Sequence, residues 1–367
     1  MKPKLVVPIF IPLFSFILGI TWQQVFIPNL VLTSVALLIA MCLIAVLFIC
    51  TPESKNNSLF AILCAVLLCF FAGAYRIGSC VAQRNGRIQA FANHKGPVVG
   101  IVTNLQPKEE CDQSSFIDVT CDQGTLRLYA RYNFDCTIDD TVAIEAHALR
   151  NIAHQDPEFA RYLMREEIDA TVFPNKSEVL VLNHPKSSWA RSIHEWRSSC
   201  TLKGLQSLSR TTQRLFGTIF LGKKTYMVSD PLRETFMHWG LSHYLARSGL
   251  HITLLIITIQ PLLQLIPAPM IIKHIFLLLF CLLYTIFSWS SISFIRSLFF
   301  FVLNLLGIAL IARQKSSLHL LGLTCYAILM YNPFHLFFVD FQLSYALTAA
   351  LVATAPFMVR DITYARS

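Results

Sequence analysis

Two blocks of almost unbroken apolar sequence, residues 5–75 and 240–359, bracket a polar middle. No other feature limits the fold as much. A run of about 20 apolar residues can cross a bilayer. In hydrocarbon every backbone N–H and C=O must be satisfied within the protein, so such runs form helices. The first block divides into runs 5–22, 30–50 and 59–75. The second divides into 240–266, 271–289, 291–312, 318–331 and 339–359. The run 318–331 is short and reads as re-entrant or tilted. Only 14% of the 367 residues are charged, and the mean hydropathy is +0.55. A soluble domain carries about 25% charged residues. The chain therefore reads as a polytopic α-helical membrane protein with a soluble domain inserted.

The net charge of +9 is uneven. Residues 1–75 carry 3 basic and 1 acidic side chains, 76–185 carry 11 and 15, 186–240 carry 9 and 3, and 241–367 carry 7 and 2. The acidic middle argues against a general nucleic-acid clamp there. The basic surplus before and inside the second block allows an anionic ligand near the membrane. Lys2, Lys4 and Lys55 fall on one side if the first two runs form a hairpin, and the positive-inside rule makes that side cytoplasmic. Residues 76 to about 240 are then extracytoplasmic. Lys273, Arg313, Lys315, Arg360 and Arg366 return to the cytoplasmic side, in keeping with the same rule. No small-residue cleavage site follows the first run, which reads as a retained anchor.

Four regions follow: three membrane helices in 1–75, a small extracytoplasmic β-barrel domain in 76–185, an amphipathic helix in 186–222, and about five membrane helices in 223–367. In the second region, residues 76–95 read as helical or linking. Strands are expected at 98–104, 115–121, 125–131, 142–148 and 179–182, with a turn at Asp122-Gln123-Gly124. Leu126, Leu128 and Ala130 alternate with Arg127, Tyr129 and Arg131, the period of a half-buried strand. Short strands at this density suggest a small barrel, interrupted by a helix starting at Pro157. Tyr129, Tyr132 and Phe134 are either base-stacking residues or ordinary barrel residues. Among the eleven cysteines no metal-binding spacing occurs. Cys111, Cys121 and Cys136 leave room for one extracytoplasmic disulfide.

Residues 187–221 read as one amphipathic helix. Trp189, Ile193, Trp196 and Cys200 fall on one face, with Leu205, Leu208, Leu215 and Ile219 continuing it. Arg191, Arg197, Lys203, Arg210 and Arg214 decorate the rest. An apolar face with tryptophans and a basic remainder suits the bilayer interface; the alternative is a helix packed on the barrel.

Residues 236–251 place three histidines, an arginine and two serines at the start of a membrane run. His243, Arg247 and His251 sit at i, i+4 and i+8, one helical stripe, flanked by Ser248 and Gly249. Arg296 lies early in the run 291–312, beside Ser293 and Ser297. Asp340 is the one acid between Arg247 and Arg360. Two readings compete. Asp340 pairs with an arginine inside the bundle, or the arginines and histidines line a path for an anion. Imidazoles eight residues apart on a straight helix are too distant for one zinc ion, so no metal site is expected. Ser248 with His251 as the nucleophile and base of an intramembrane hydrolase is a rival reading resting on i, i+3 spacing alone.

The segment Gly240-Leu-Ser-His-Tyr-Leu-Ala-Arg-Ser-Gly-Leu-His251 resembles the signature of the ComEC family of competence proteins, which runs approximately Gly-x-x-His-Leu-Leu-Ala-Ile-Ser-Gly-Leu-His-Val. Asn332-Pro-Phe-His-Leu-Phe-Phe-Val-Asp-Phe-Gln-Leu-Ser-Tyr-Ala346 resembles that family's second block, Asn-Pro followed by Phe-Gln-Leu-Ser-Phe. Ser293-Phe-Ile-Arg296-Ser resembles its Ser-x-x-Arg-Ala element, and Asp156-Pro-Glu-Phe-Ala-Arg-Tyr-Leu a motif of its barrel domain. The resemblance implies an inner-membrane DNA-uptake channel of bacteria, without catalytic residues or cofactor, that passes one strand of transforming DNA to the cytoplasm. It implies an oligonucleotide-binding type of barrel, a channel domain in 223–367, a DNA receptor and a helicase-like motor as partners, and leaves homo-oligomerisation open. Ser248, Gly249, His251, Arg296, Gln342 and Ser344 belong to the shared motifs, with Asn332 and Pro333 as structural positions. Arg247 stands where the family has an aliphatic residue. The His-x-His-x-Asp-His motif of the family's nuclease-like carboxy-terminal domain does not occur. Relatives continue with more helices beyond the second block, so a split or truncated channel, or a structural remnant, is a further expectation.

Overall fold

The computed structural model describes residues 10–26, 57–106, 115–145, 149, 157–185, 188–217, 219, 230–240, 249–287, 292–311 and 317–364. They form two compact units. One contains Met1–Gln83, Ile256–Leu278 and Ile292–Ser367, and the other Arg84–Leu255 and Leu279–Ser291.

The first unit is helical. It is built from α1 (Phe10–Phe26), most of α2 (Asn57–Asn93), parts of two later helices and three further helices described below. α1 and α2 approach closely because each presents a glycine to the other's backbone. A methyl group at Gly19 would meet the Phe70 carbonyl, and one at Gly73 the Phe16 carbonyl. Small residues permit this in membrane helix pairs. Phe16, Ile20 and Ile77 then join Leu321, Leu329, Phe341 and Tyr345 in one core. The third run, read above as ending at residue 75, continues unbroken to Asn93. A helix of 37 residues is roughly 55 Å long, well beyond a bilayer core of about 30 Å. Among the described residues its stretch Cys64–Asn93 is the one helix long and apolar enough to cross a membrane; Ile11–Val25, Ser293–Leu306 and Val339–Thr354 are among the shorter apolar helices. The expected run 30–50 lies outside the described residues.

The second unit carries a six-stranded sheet: β1 (Val98–Gln106), β2 (Ser115–Cys121), β3 (Gly124–Ala130), β4 (Thr141–Ile144), β5 (Ala170–Val172) and β6 (Val179–Asn183), in the order β5-β3-β2-β1-β4-β6. α3 (Pro157–Arg165) intervenes after β4, with proline in its first turn, where no N–H is missed. The pairs are antiparallel except β3–β5. The two ends of the sheet, β5 and β6, are separated in sequence by only residues 173–178. The β2–β3 hairpin turns where Asp122-Gln123-Gly124 predicts, and Gly124 has φ +139, a conformation that only glycine adopts freely. Leu126, Leu128 and Ala130 face the core, with Phe91, Val98, Ile117 and Val142.

Several expectations need correction. β5 was not anticipated, because three residues show no alternation. Arg127, placed with the outward set, is 2% exposed; Asp118 and α3 cover that face. Cys121 and Cys136 are free thiols; burial pushes their pKa values up to about 12 and about 11. Cys111 lies outside the described residues. The single helix expected over 187–221 is two, α4 (Trp189–Leu205) and α5 (Arg210–Phe216). The break falls at Ser209, whose hydroxyl accepts from the Thr212 N–H at 3.3 Å and so restarts the helix as an N-cap. Gly240, read as the start of a span, follows the end of α6 (Asp230–His238): its φ is +67 and its N–H returns to the Met237 carbonyl at 3.0 Å, as a helix-terminating glycine does, and residues 241–248 lie outside the described residues. The chain is described again from α7 (Gly249–Gln264), followed by α8 (Met270–Phe287).

Candidate functional site in the helical unit

The second helical block ends in α9 (Ile292–Ile311), α10 (Ser317–Tyr331), a 3-10 turn at Pro333–Phe337 and α11 (Val339–Tyr364). Their apolar residues pack α10 against its neighbours, burying Leu320, Leu321 and Leu329. This packing brings together polar residues far apart in sequence. Arg296, in the second turn of α9, donates from Nε to the Ser344 hydroxyl at 2.9 Å. Its guanidinium lies 5.6 Å from the centre of the Tyr345 ring, within cation–π range. The Tyr345 hydroxyl donates to Thr324 Oγ1 of α10 at 3.3 Å, and Thr324 donates to the Leu321 carbonyl at 2.8 Å. A polar chain thus crosses three helices, with Thr324 fully buried and Tyr345 nearly so.

The turn before α11 has its own logic. Asn332 is extended (φ −136, ψ 101), and its side-chain oxygen accepts from the Phe334 N–H at 3.0 Å, with Pro333 at the first position of the turn. Gln342 donates from Nε2 to the Leu336 carbonyl at 2.9 Å, fastening the first turn of α11 to the 3-10 segment. Asp340 is exposed in that first turn.

The structure therefore unites Arg296 with Ser344, places Gln342 one turn away on a backbone carbonyl, and uses Asn332 and Pro333 to build the turn. Of the two arginines read as partners for Asp340, Arg296 contacts Ser344 and Tyr345, and Arg247 lies outside the described residues. His243, Arg247 and Ser248, and the side chain of His251, lie outside the described residues. Gly249 opens α7, where its carbonyl accepts from Thr253 Oγ1 at 3.1 Å. Thr324 was missed by sequence reasoning, since a lone threonine in an apolar helix carries no signal. Tyr345 stood inside a quoted motif without an assigned role.

In the sheet unit, the aromatic residues considered for base stacking are engaged with protein. Tyr129 stacks on Phe173 (5.7 Å, 24°). Tyr132 donates its hydroxyl to the Pro174 carbonyl at 3.3 Å, and Phe134 packs on the sheet core. At the start of α4, Arg191 binds the fully buried Asp140 and donates to the Ile138 and Pro185 carbonyls. His184 Nδ1 lies 3.0 Å from the same carboxylate, which also accepts from the Thr137 N–H and hydroxyl. Burial works to raise the Asp140 pKa, but these donors outweigh it and hold the carboxyl below its ordinary range. Beyond this anchor, Trp189, Ile193 and Trp196 are all exposed.

Residues 219–366 match the family described as Competence protein. Over 301 residues the chain is 24% identical to ComE operon protein 3 of Bacillus subtilis (strain 168), an alignment taking in 81% of this chain and 37% of that relative. The chain thus spans little more than a third of the relative's length. No solved structure matches it.

Proposed function

We propose that this chain, whose residues 219–366 match the competence-protein family and which resembles ComE operon protein 3, is a ComEC-type competence protein that carries single-stranded DNA across the bacterial cytoplasmic membrane through its helical domain. The observation carrying this reading is the company Arg296 keeps. A cation in a membrane helix is costly unless it is paired or faces water. Arg296 is held by a hydroxyl and an aromatic face, both neutral, and forms no ion pair with a carboxylate among the described residues. Its charge is left for an anion, and arginine or lysine lines pores that pass anions and phosphates.

In this reading His243, Arg247, Ser248, Gly249, His251, Gln342 and Ser344 extend the path, while Asp340, Asn332 and Pro333 support it. The protein is a multi-pass conduit and not an enzyme. Its amino terminus is cytoplasmic, and its sheet unit is an extracytoplasmic barrel of oligonucleotide-binding type. The adjacency of β5 and β6 in sequence supports the barrel, since two strands joined by a short connection and lying at opposite ends of the sheet suit closure. The exposed tryptophans of α4 suit contact with lipid at the interface. A DNA receptor outside, a helicase-like motor inside and a second copy of the chain are the expected partners.

The test is DNA uptake by cells producing the full-length Arg296→Ala protein at normal membrane abundance. Loss of one charge-assisted contact per passing phosphate predicts uptake reduced about tenfold or more, with Arg296→Lys intermediate. Uptake and single-strand crosslinking equal to wild type would remove Arg296 from the path.

A further inference from the structure

We infer that Arg76, far in sequence from every shared motif, is the positioning residue that sets the turn into α11 and thereby the place where Ser344 and Tyr345 meet Arg296. This rests on the reading of Arg296 given above. It starts from an unmet need at the end of α10. The last carbonyls of a helix have no partner within it and need one from elsewhere. α10 ends at Tyr331. Arg76, in α2, donates from Nε to the Met330 carbonyl at 2.8 Å and from Nη2 to the Tyr331 carbonyl at 2.7 Å. Its Nη1 reaches Cys80 Sγ at 2.8 Å, one turn along its own helix. All these residues belong to the same compact unit.

Two properties of arginine fit the task. Its planar fork presents two parallel donors, which a lysine cannot do. Its positive charge sits at the negative end of the helix dipole. The next residue, Asn332, leaves helical conformation at once and caps the 3-10 turn through Phe334, and α11 follows from Val339. Ser344 and Tyr345 lie little more than one turn into α11. A fixed end to α10 therefore fixes the starting point of α11, and with it the 2.9 Å contact between Ser344 and Arg296. Sequence alone marks Arg76 as the first charge after an apolar run and gives it no role.

The test uses the full-length protein with Arg76→Gln and Arg76→Lys, read in two ways. Amide hydrogen exchange of the peptide spanning 332–342 should quicken about tenfold in Arg76→Gln, the scale of losing charge-assisted bonds. It should quicken less in Arg76→Lys, which keeps one donor direction, while peptides from β2 and β3 stay unchanged. DNA uptake should follow the same order at normal membrane abundance, and the partial rescue by lysine is what a merely structural lesion would not give. If Arg76→Gln fails to reach the membrane, the lysine variant carries both readings. Unchanged exchange in the turn would overturn the inference. So would quickened exchange with full uptake, provided Arg296→Ala abolishes uptake in the same cells. If Arg296→Ala also leaves uptake intact, the DNA-path reading fails, and the exchange data still decide whether Arg76 sets the turn.

Discussion

Asp118 and Arg127 stand directly opposite each other on β2 and β3 and close two hydrogen bonds, Nε to Oδ1 at 2.5 Å and Nη2 to Oδ2 at 2.8 Å. Both side chains are nearly buried. Tyr162 of α3 accepts from Arg127 Nη1 at 3.0 Å, and the Phe116 ring centre lies 4.3 Å from the guanidinium. Burial works to lower the Arg127 pKa, but Asp118 outweighs it and the cation is kept at every pH the protein meets. Removing one partner strands the other charge, which costs about 3–5 kcal/mol. Arg127→Met should therefore destabilise the sheet unit by that amount, read from urea unfolding of the purified protein with protease protection of residues 98–183 as the probe. The double variant Arg127→Met, Asp118→Leu should regain most of the loss. A double variant no more stable than the single would show that the pair's charge is not the issue.

Arg127 also marks where the sequence stopped being legible. Alternation put Leu126, Leu128 and Ala130 on the core face and located the β2–β3 turn. It could not reveal that α3 covers the opposite face, because that depends on a helix some 30 residues later in the chain. β5 pairs in parallel with β3 over three residues, too few for a periodic signal. At the candidate site, family motifs supplied Arg296 and Ser344. Their contact across 48 residues needed the packing of α9 against α11.

The α1–α2 pair depends on two glycines facing two carbonyls. Ser15 adds a hydroxyl bond to the Val66 carbonyl in the same seam. Overpacking a tight contact costs about 1–3 kcal/mol. Gly19→Leu and Gly73→Leu should each lower the thermal aggregation midpoint in detergent, and Ser15→Ala should do so by less. Because backbone is the obstacle, even Gly73→Ala should be measurable. A wild-type midpoint for Gly73→Leu would mean that the two helices do not meet at this position.

Asp140 ties the start of α4 to the sheet, and its folded pKa is depressed. Folding therefore favours the ionised form. The stabilisation is fully present above the ordinary carboxylate value of about 3.9 and is lost as pH falls through the lower folded value. Acidification below about pH 4 should release the anchor, seen as a change in fluorescence from Trp189 and Trp196. Asp140→Asn should be less stable at neutral pH and should lack this acid-dependent step. An unchanged acid profile in Asp140→Asn would assign the step to other carboxylates.

The contacts of Arg296 separate by chemistry. Ser344→Ala removes a hydrogen bond to a charged group, worth about 1.5–3 kcal/mol, and frees the guanidinium to turn away from α11. Tyr345→Phe removes only the hydroxyl's bond to Thr324, at 3.3 Å the longest of the chain, and keeps the ring under the cation. Tyr345→Leu removes both. If Arg296 must be aimed to meet phosphate, uptake should fall in the order Tyr345→Phe, Ser344→Ala, Tyr345→Leu, with the first near wild type. If Arg296 only braces the bundle, the same three variants should differ in thermal stability in detergent but not in uptake at equal membrane abundance. Measuring both in parallel separates aiming from bracing, because a neutral hydroxyl and an aromatic face can hold the cation in place without neutralising it.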